Sequence, residues 1–62
     1  MYIFELHYIE IETGKKTSKM LEIDRQLFDT EQEVFLYAMK TGYAITKENE
    51  LFYSIEFLVA NR

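Results

Sequence analysis

Residues Tyr2 to Glu12 read Tyr-Ile-Phe-Glu-Leu-His-Tyr-Ile-Glu-Ile-Glu, a stretch that is apolar on both faces when laid out as a β-strand. Tyr2, Phe4, Leu6 and Tyr8 fall on one side. Ile3, Ile9 and Ile11, with Glu5 and His7 among them, fall on the other, because successive side chains of a strand alternate between faces. A strand with two apolar faces belongs in the middle of a sheet, so the rest of the chain must supply neighbours on both sides of it.

The segment after it supplies the first neighbour. Thr13-Gly14-Lys15-Lys16 carries Gly14 at the first central position of a two-residue type II′ turn, where a positive φ is required. Pairing Thr13 with Lys16 sets Tyr8 against Leu21, Leu6 against Ile23, Ile9 against Met20, His7 against Glu22 and Glu10 against Lys19. Apolar then meets apolar and charge meets counter-charge, except that Glu5 would face Asp24; a slip of one residue would turn the apolar rows to opposite sides. The second strand, about Thr17 to Asp24, is the more polar one and suits an edge.

A helix follows. Thr30-Glu31-Gln32-Glu33 has the capping-box pattern, with Asp29 as a competing cap, and Glu31 and Glu33 lie near the positive end of the helix dipole. Val34, Phe35, Ala38 and Met39 form one apolar stripe, Leu36 and Tyr37 fall off it, and Gly42 is a natural C-terminal stop. Leu27 and Phe28 are expected to tuck under the helix start. In the last segment Leu51, Tyr53, Ile55, Phe57 and Val59 alternate with Phe52, Ser54, Glu56 and Leu58. The first set is expected to face the helix and the second to face away. These elements predict a single α+β domain over residues 1–62, ββαβ in chain order. It is a three-stranded antiparallel sheet in the order 2-1-3 with one helix packed on one face.

Sixty-two residues lie near the lower limit for a core that holds without help, and there is no Cys to form a disulfide or a thiolate zinc site. The 48% apolar content, with five Tyr and five Phe, compensates and argues against disorder. A net charge of −4 does not suit binding to a phosphate backbone, so direct nucleic-acid contact is not expected. No apolar run approaches the length of a membrane span and no signal-peptide pattern opens the chain, which predicts a cytoplasmic protein beginning at its own Met1, without membrane contact.

Three motifs invite a chemical reading, and each reads first as ordinary structure. His7 beside Glu22, with Glu5, Asp24 and Glu56 on the same face, could hold a divalent metal or act as an acid–base pair, but reads first as a cross-strand polar pair. Gly14-Lys15-Lys16-Thr17-Ser18-Lys19 faintly resembles a phosphate-binding loop, yet it lacks the earlier Gly and lies in a hairpin. Ser18 and Ser54 sit in no nucleophile turn. No catalysis, cofactor or metal is expected.

One helix can shelter only one face of such a sheet. The other should expose Ile3, Ile9, Ile11, Met20, Phe52 and Leu58, more apolar surface than a monomer usually leaves open. The sequence therefore predicts a non-enzymatic protein–protein interaction module. It would self-associate through this open face or through its edge strand, as a homo-oligomer, or bind another protein. The alternative is a small acidic inhibitor or adaptor that fills a basic groove by nucleic-acid mimicry, using Glu10, Glu12, Glu22, Asp24, Glu31 and Glu33. Leu36 and Tyr37, with Tyr43, could form a second contact point on the outer helix face, but single exposed hydrophobes are ordinary and that reading is favoured.

Overall fold

The computed structural model of the protein describes residues 1–60, with side chains as far as Leu58, and it places the first strand at the centre. Strand β1 (Tyr2–Glu10) pairs antiparallel with β2 (Lys16–Ile23) on one side and with β3 (Glu50–Ala60) on the other, giving the order β2-β1-β3. Helix α1 (Glu31–Ala44) lies on the face that carries Tyr2, Phe4, Leu6 and Tyr8. Phe4, Leu6 and Tyr8 are wholly buried, as are Val34 and Ala38 from the helix. Each fully buried large apolar side chain is worth roughly 1.5–3 kcal/mol. The predicted ββαβ architecture is the observed one.

The hairpin differs from the expectation in its length. Instead of a two-residue turn, Ile11-Glu12-Thr13-Gly14 form a four-residue loop closed by Glu10 N–H donating to the Lys15 carbonyl (2.8 Å) and Gly14 N–H donating to the Glu10 carbonyl (2.8 Å). Gly14 does adopt a positive φ, 72°, but at the end of the loop. The strands consequently pair Tyr2 with Ile23, Phe4 with Leu21, Leu6 with Lys19, His7 with Ser18, Tyr8 with Thr17 and Ile9 with Lys16. This register lies four residues from the expected one. An even displacement keeps every side chain on its face, so the core survived the error while each predicted pair did not. The physical gain is at the start of β1. The tighter turn would have left Tyr2 and Phe4 without cross-strand partners, whereas the longer loop sets them against Ile23 and Leu21.

The helix begins as expected, with Thr30 Oγ1 accepting from Glu33 N–H at 3.2 Å. It does not stop at Gly42. It runs on to Ala44, and Gly42 is buried against the sheet in the row Val34–Ala38–Gly42. Phe28 packs on the core with its ring 5.2 Å from Tyr37, but Leu27 stays exposed in a 3-10 turn, Arg25–Leu27, capped by Asp24. Among the described residues, no helix is long and apolar enough to cross a membrane.

The largest departure is in β3. Its apparently strict alternation is broken by two β-bulges, one where Tyr53 is skipped between the pairs His7–Ser54 and Tyr8–Phe52, the other where Leu58 is skipped between Ile3–Val59 and Phe4–Phe57. A bulge adds one residue and so reverses the phase of everything beyond it. Ile55 and Phe57 face the helix as predicted. Leu51, opposite Ile9, belongs to the far face, and Tyr53 brings its ring to 6.2 Å from His7. Phe52, expected on the open face, turns under the helix, its ring 5.3 Å from Tyr8 and 4.9 Å from Tyr43. The expectation for Val59 lies outside the described side chains.

Phe52 also explains Gly42. A Cβ built on Gly42 would stand 2.6 Å from the Phe52 ring, a ring already held between Tyr8 and Tyr43. Tyr8 hydroxyl donates to the Gly42 carbonyl at 2.6 Å, which fixes the same point of the helix to the central strand. In an open helix Gly→Ala would gain about 1 kcal/mol, while overpacking a core costs about 1–3 kcal/mol. Gly42→Ala is therefore expected to lower stability to urea, and Gly42→Ala with Phe52→Leu to recover most of the loss. Additive effects of the two changes would show that the close approach does not set the helix height.

Candidate interaction surfaces

Three surfaces remain once the core is built. The first is the uncovered sheet face. Ile3 and Ile9 lie half-buried on it, Met20 projects from β2 opposite Glu5, and Ile11 stands exposed in the hairpin loop just beyond the strand. Leu58 is exposed at its bulge, and Phe52 is absent from this face for the reason given above. Leu51 and Tyr53, assigned by alternation to the helix side, join it instead. In the middle of the face His7 does not meet Glu22, which pairs with Ile3. Its Nε2 lies 3.1 Å from Glu5 Oε1 and 3.8 Å from Glu56 Oε2, while Ser18 and Ser54 flank it on the neighbouring strands.

The second surface is the β3 edge and the strip of helix above it. Along α1, Glu31, Phe35, Met39 and Tyr43 repeat at intervals of four and share one side. That side is the β3 side: Phe35 lies 5.6 Å from the Phe57 ring and Tyr43 lies over Phe52. Phe35, Met39, Tyr43 and Phe57 keep 37, 42, 62 and 42% of their surface exposed. Together they give this border of the sheet an apolar strip that sequence periodicity hid. Phe35 and Met39 belong to the stripe expected to face the core and Tyr43 to a second contact point, because an apolar stripe wider than the sheet can absorb looks the same as one that is fully used. The β3 backbone beside them is interrupted by its two bulges but carries almost no charge. Its eleven residues include no Lys, Arg or Pro among the described positions, and Glu56 is the sole charge after Glu50. Strand β2, the other edge, has Lys16, Lys19 and Glu22 in eight residues. Charged side chains and prolines are the usual protection of a free edge.

The third feature is polar and closes the hairpin end of the core. Glu50, on the helix side of β3 opposite Glu10, is only 9% exposed. Its Oε1 accepts from Lys47 N–H at 3.2 Å and lies 3.1 Å from Lys19 Nζ, which reaches across from β2 with its ammonium 4.3 Å above the Tyr8 ring. The Lys47 N–H, chiefly, and then Lys19 hold the Glu50 carboxyl below its usual value, against the opposing effect of burial. At the other end of the sheet Tyr2 hydroxyl donates to Glu31 Oε1 at 2.8 Å, and that hydrogen bond is the main reason the Tyr2 phenol is raised. The six acids considered for charge mimicry divide between these ends. Glu10 and Glu12 sit at the hairpin with Lys15 and Lys16. Glu22, Asp24, Glu31 and Glu33 sit where β1 begins, with Arg25.

Comparison with known proteins returned no family model, no curated protein and no solved structure that matches the chain. The surfaces have to be read on their own chemistry.

Because the folded Glu50 pKa lies below the unfolded value near 4.5, its contribution is fully present above that value and disappears as pH falls through the folded one. Glu50→Gln is expected to be less stable than the parent at about pH 7 and to close much of that gap at about pH 3, by urea unfolding. An equal gap at both pH values would remove the carboxylate from the account.

Proposed function

We propose that the chain is a non-catalytic protein–protein interaction module whose partner is a second copy of itself, joined edge to edge through β3. The observation that carries this reading is the coincidence of a strand edge with almost no charge, interrupted by bulges at Tyr53 and Leu58, and an apolar helix strip directly above it. Pairing β3 with a symmetry mate would continue the sheet to six strands and place the two α1 helices side by side on one face. Phe35, Met39 and Tyr43 of each copy would then cover one another, in the same step that satisfies the free backbone groups of the edge.

Charge favours the same arrangement. Helix α1 runs alongside β1, from Glu31 near Tyr2 to Gly42 near Tyr8, and a two-fold axis makes the two helices antiparallel. The Glu31 end of one strip approaches the Lys47 end of the other, and the helix dipoles oppose head to tail. An isologous interface must be self-complementary in this way. The open sheet face offers no comparable match, because its centre is occupied by Glu5, His7 and Glu56 rather than by apolar side chains.

Sedimentation velocity tests the reading. The parent chain is expected to run as a two-chain species. Met39→Glu should weaken the association at least about tenfold with an unchanged far-ultraviolet circular dichroism spectrum, while Met20→Glu and Ile9→Glu on the open face should leave it intact. A single-chain species at all concentrations would overturn the proposal. Dissociation by Met20→Glu or Ile9→Glu but not by Met39→Glu would equally overturn it, and move the interface to the open face.

A further inference from the structure

We propose that Glu5, His7 and Glu56 form a binding site for a divalent transition-metal ion of borderline character, the class to which Zn2+ belongs. The three side chains present one imidazole nitrogen and two carboxylate oxygens, all within 4.8 Å of one another. Donor atoms about 2.0–2.1 Å from a tetrahedral zinc stand roughly 3.3 Å apart. The separations of 3.1 and 3.8 Å from His7 Nε2 to the two carboxylates bracket that distance. Glu56 is the most exposed of the three, so its rotamer is free to make the remaining adjustment while Glu5 and His7 stay half-buried.

The backbone, and not side-chain chance, brings them together. Glu5 and His7 are two residues apart on the central strand and therefore share a face. Glu56 is paired with Glu5 because the bulge at Tyr53 resets the phase of β3; without it a residue of the opposite face would stand there. Bulges commonly re-aim side chains next to functional sites. The pairing is otherwise unfavourable, since like charges directly opposite on an antiparallel ladder repel. No Lys or Arg among the described residues lies within ion-pair distance of either carboxylate; both turn to the same imidazole nitrogen. A bound dication would relieve that repulsion and use all three donors. One nitrogen with two oxygens suits zinc-like ions better than Mg2+ or Ca2+, which favour all-oxygen sets. The remaining coordination positions open to solvent on the face away from α1, so the site does not depend on how β3 associates.

Titration calorimetry and NMR of the full chain with Zn2+ test the site. One ion per chain is expected, with the His7 ring resonances shifting as it binds. His7→Gln and Glu56→Gln should each weaken binding at least tenfold. Glu22→Gln, an acid on the same face opposite Ile3, should change it less than twofold, and Mg2+ in large excess should not displace Zn2+. Unmoved His7 resonances, full binding by His7→Gln, or equal competition by Mg2+ would each overturn the proposal, the last by reducing it to general attraction to acidic groups.

Discussion

The close approach of Phe52 to Gly42 lets helix α1 seat on the sheet, and that seating decides what the fold covers. Val34, Ala38 and Gly42 present a row of small side chains to the sheet, and the Tyr8 hydroxyl ties the Gly42 carbonyl to the central strand. The helix is thereby tied to β1, where Phe4, Leu6 and Tyr8 are sealed completely. On the β3 side Phe35 meets the Phe57 ring and Tyr43 meets Phe52, and with Met39 they remain substantially exposed.

That economy has a thermodynamic limit. A chain of 62 residues without Cys must draw its stability from packing and from a few well-placed polar contacts. Where the apolar core runs out at the hairpin end, Lys19 and Glu50 meet across Tyr8 with the Lys47 N–H as a further donor. A buried charge with its partner removed is costly, so this end depends on all three groups together. Farther along β3, beside Phe35 and Phe57, no ion pair among the described residues plays that part, and the rings there stay partly exposed.

Much of the architecture was legible in the sequence because it rests on periodicity. The two-sided apolarity of Tyr2–Glu12 identified the central strand and its buried face, and Thr30-Glu31-Gln32-Glu33 located the helix start. What escaped were the features that periodicity cannot encode. The hairpin loop took four residues rather than two, an even change invisible to face assignment. The bulges at Tyr53 and Leu58 reversed the phase of β3, so Phe52 and Leu51 exchanged sides; a segment that alternates aromatic with aliphatic residues on both faces reads equally well in either phase. Gly42 looked like a stop because Gly usually is one, and only the Phe52 ring reveals why it lies inside a helix. The grouping of Glu5, His7 and Glu56 likewise needed the register, since Glu56 is distant in sequence and Glu22 was the nearer candidate by the shorter turn.

Completion of the β3 edge by another copy of the chain is the proposal on which the functional reading rests. Amide hydrogen exchange along β3, followed at high and at low protein concentration, addresses it directly, because it reads the backbone groups of the edge themselves. The β3 amides that do not donate to β1 are predicted to exchange slowly in concentrated solution and to lose that protection on dilution, while β1 amides stay protected throughout. Fast exchange of those β3 amides at every concentration would contradict the claim.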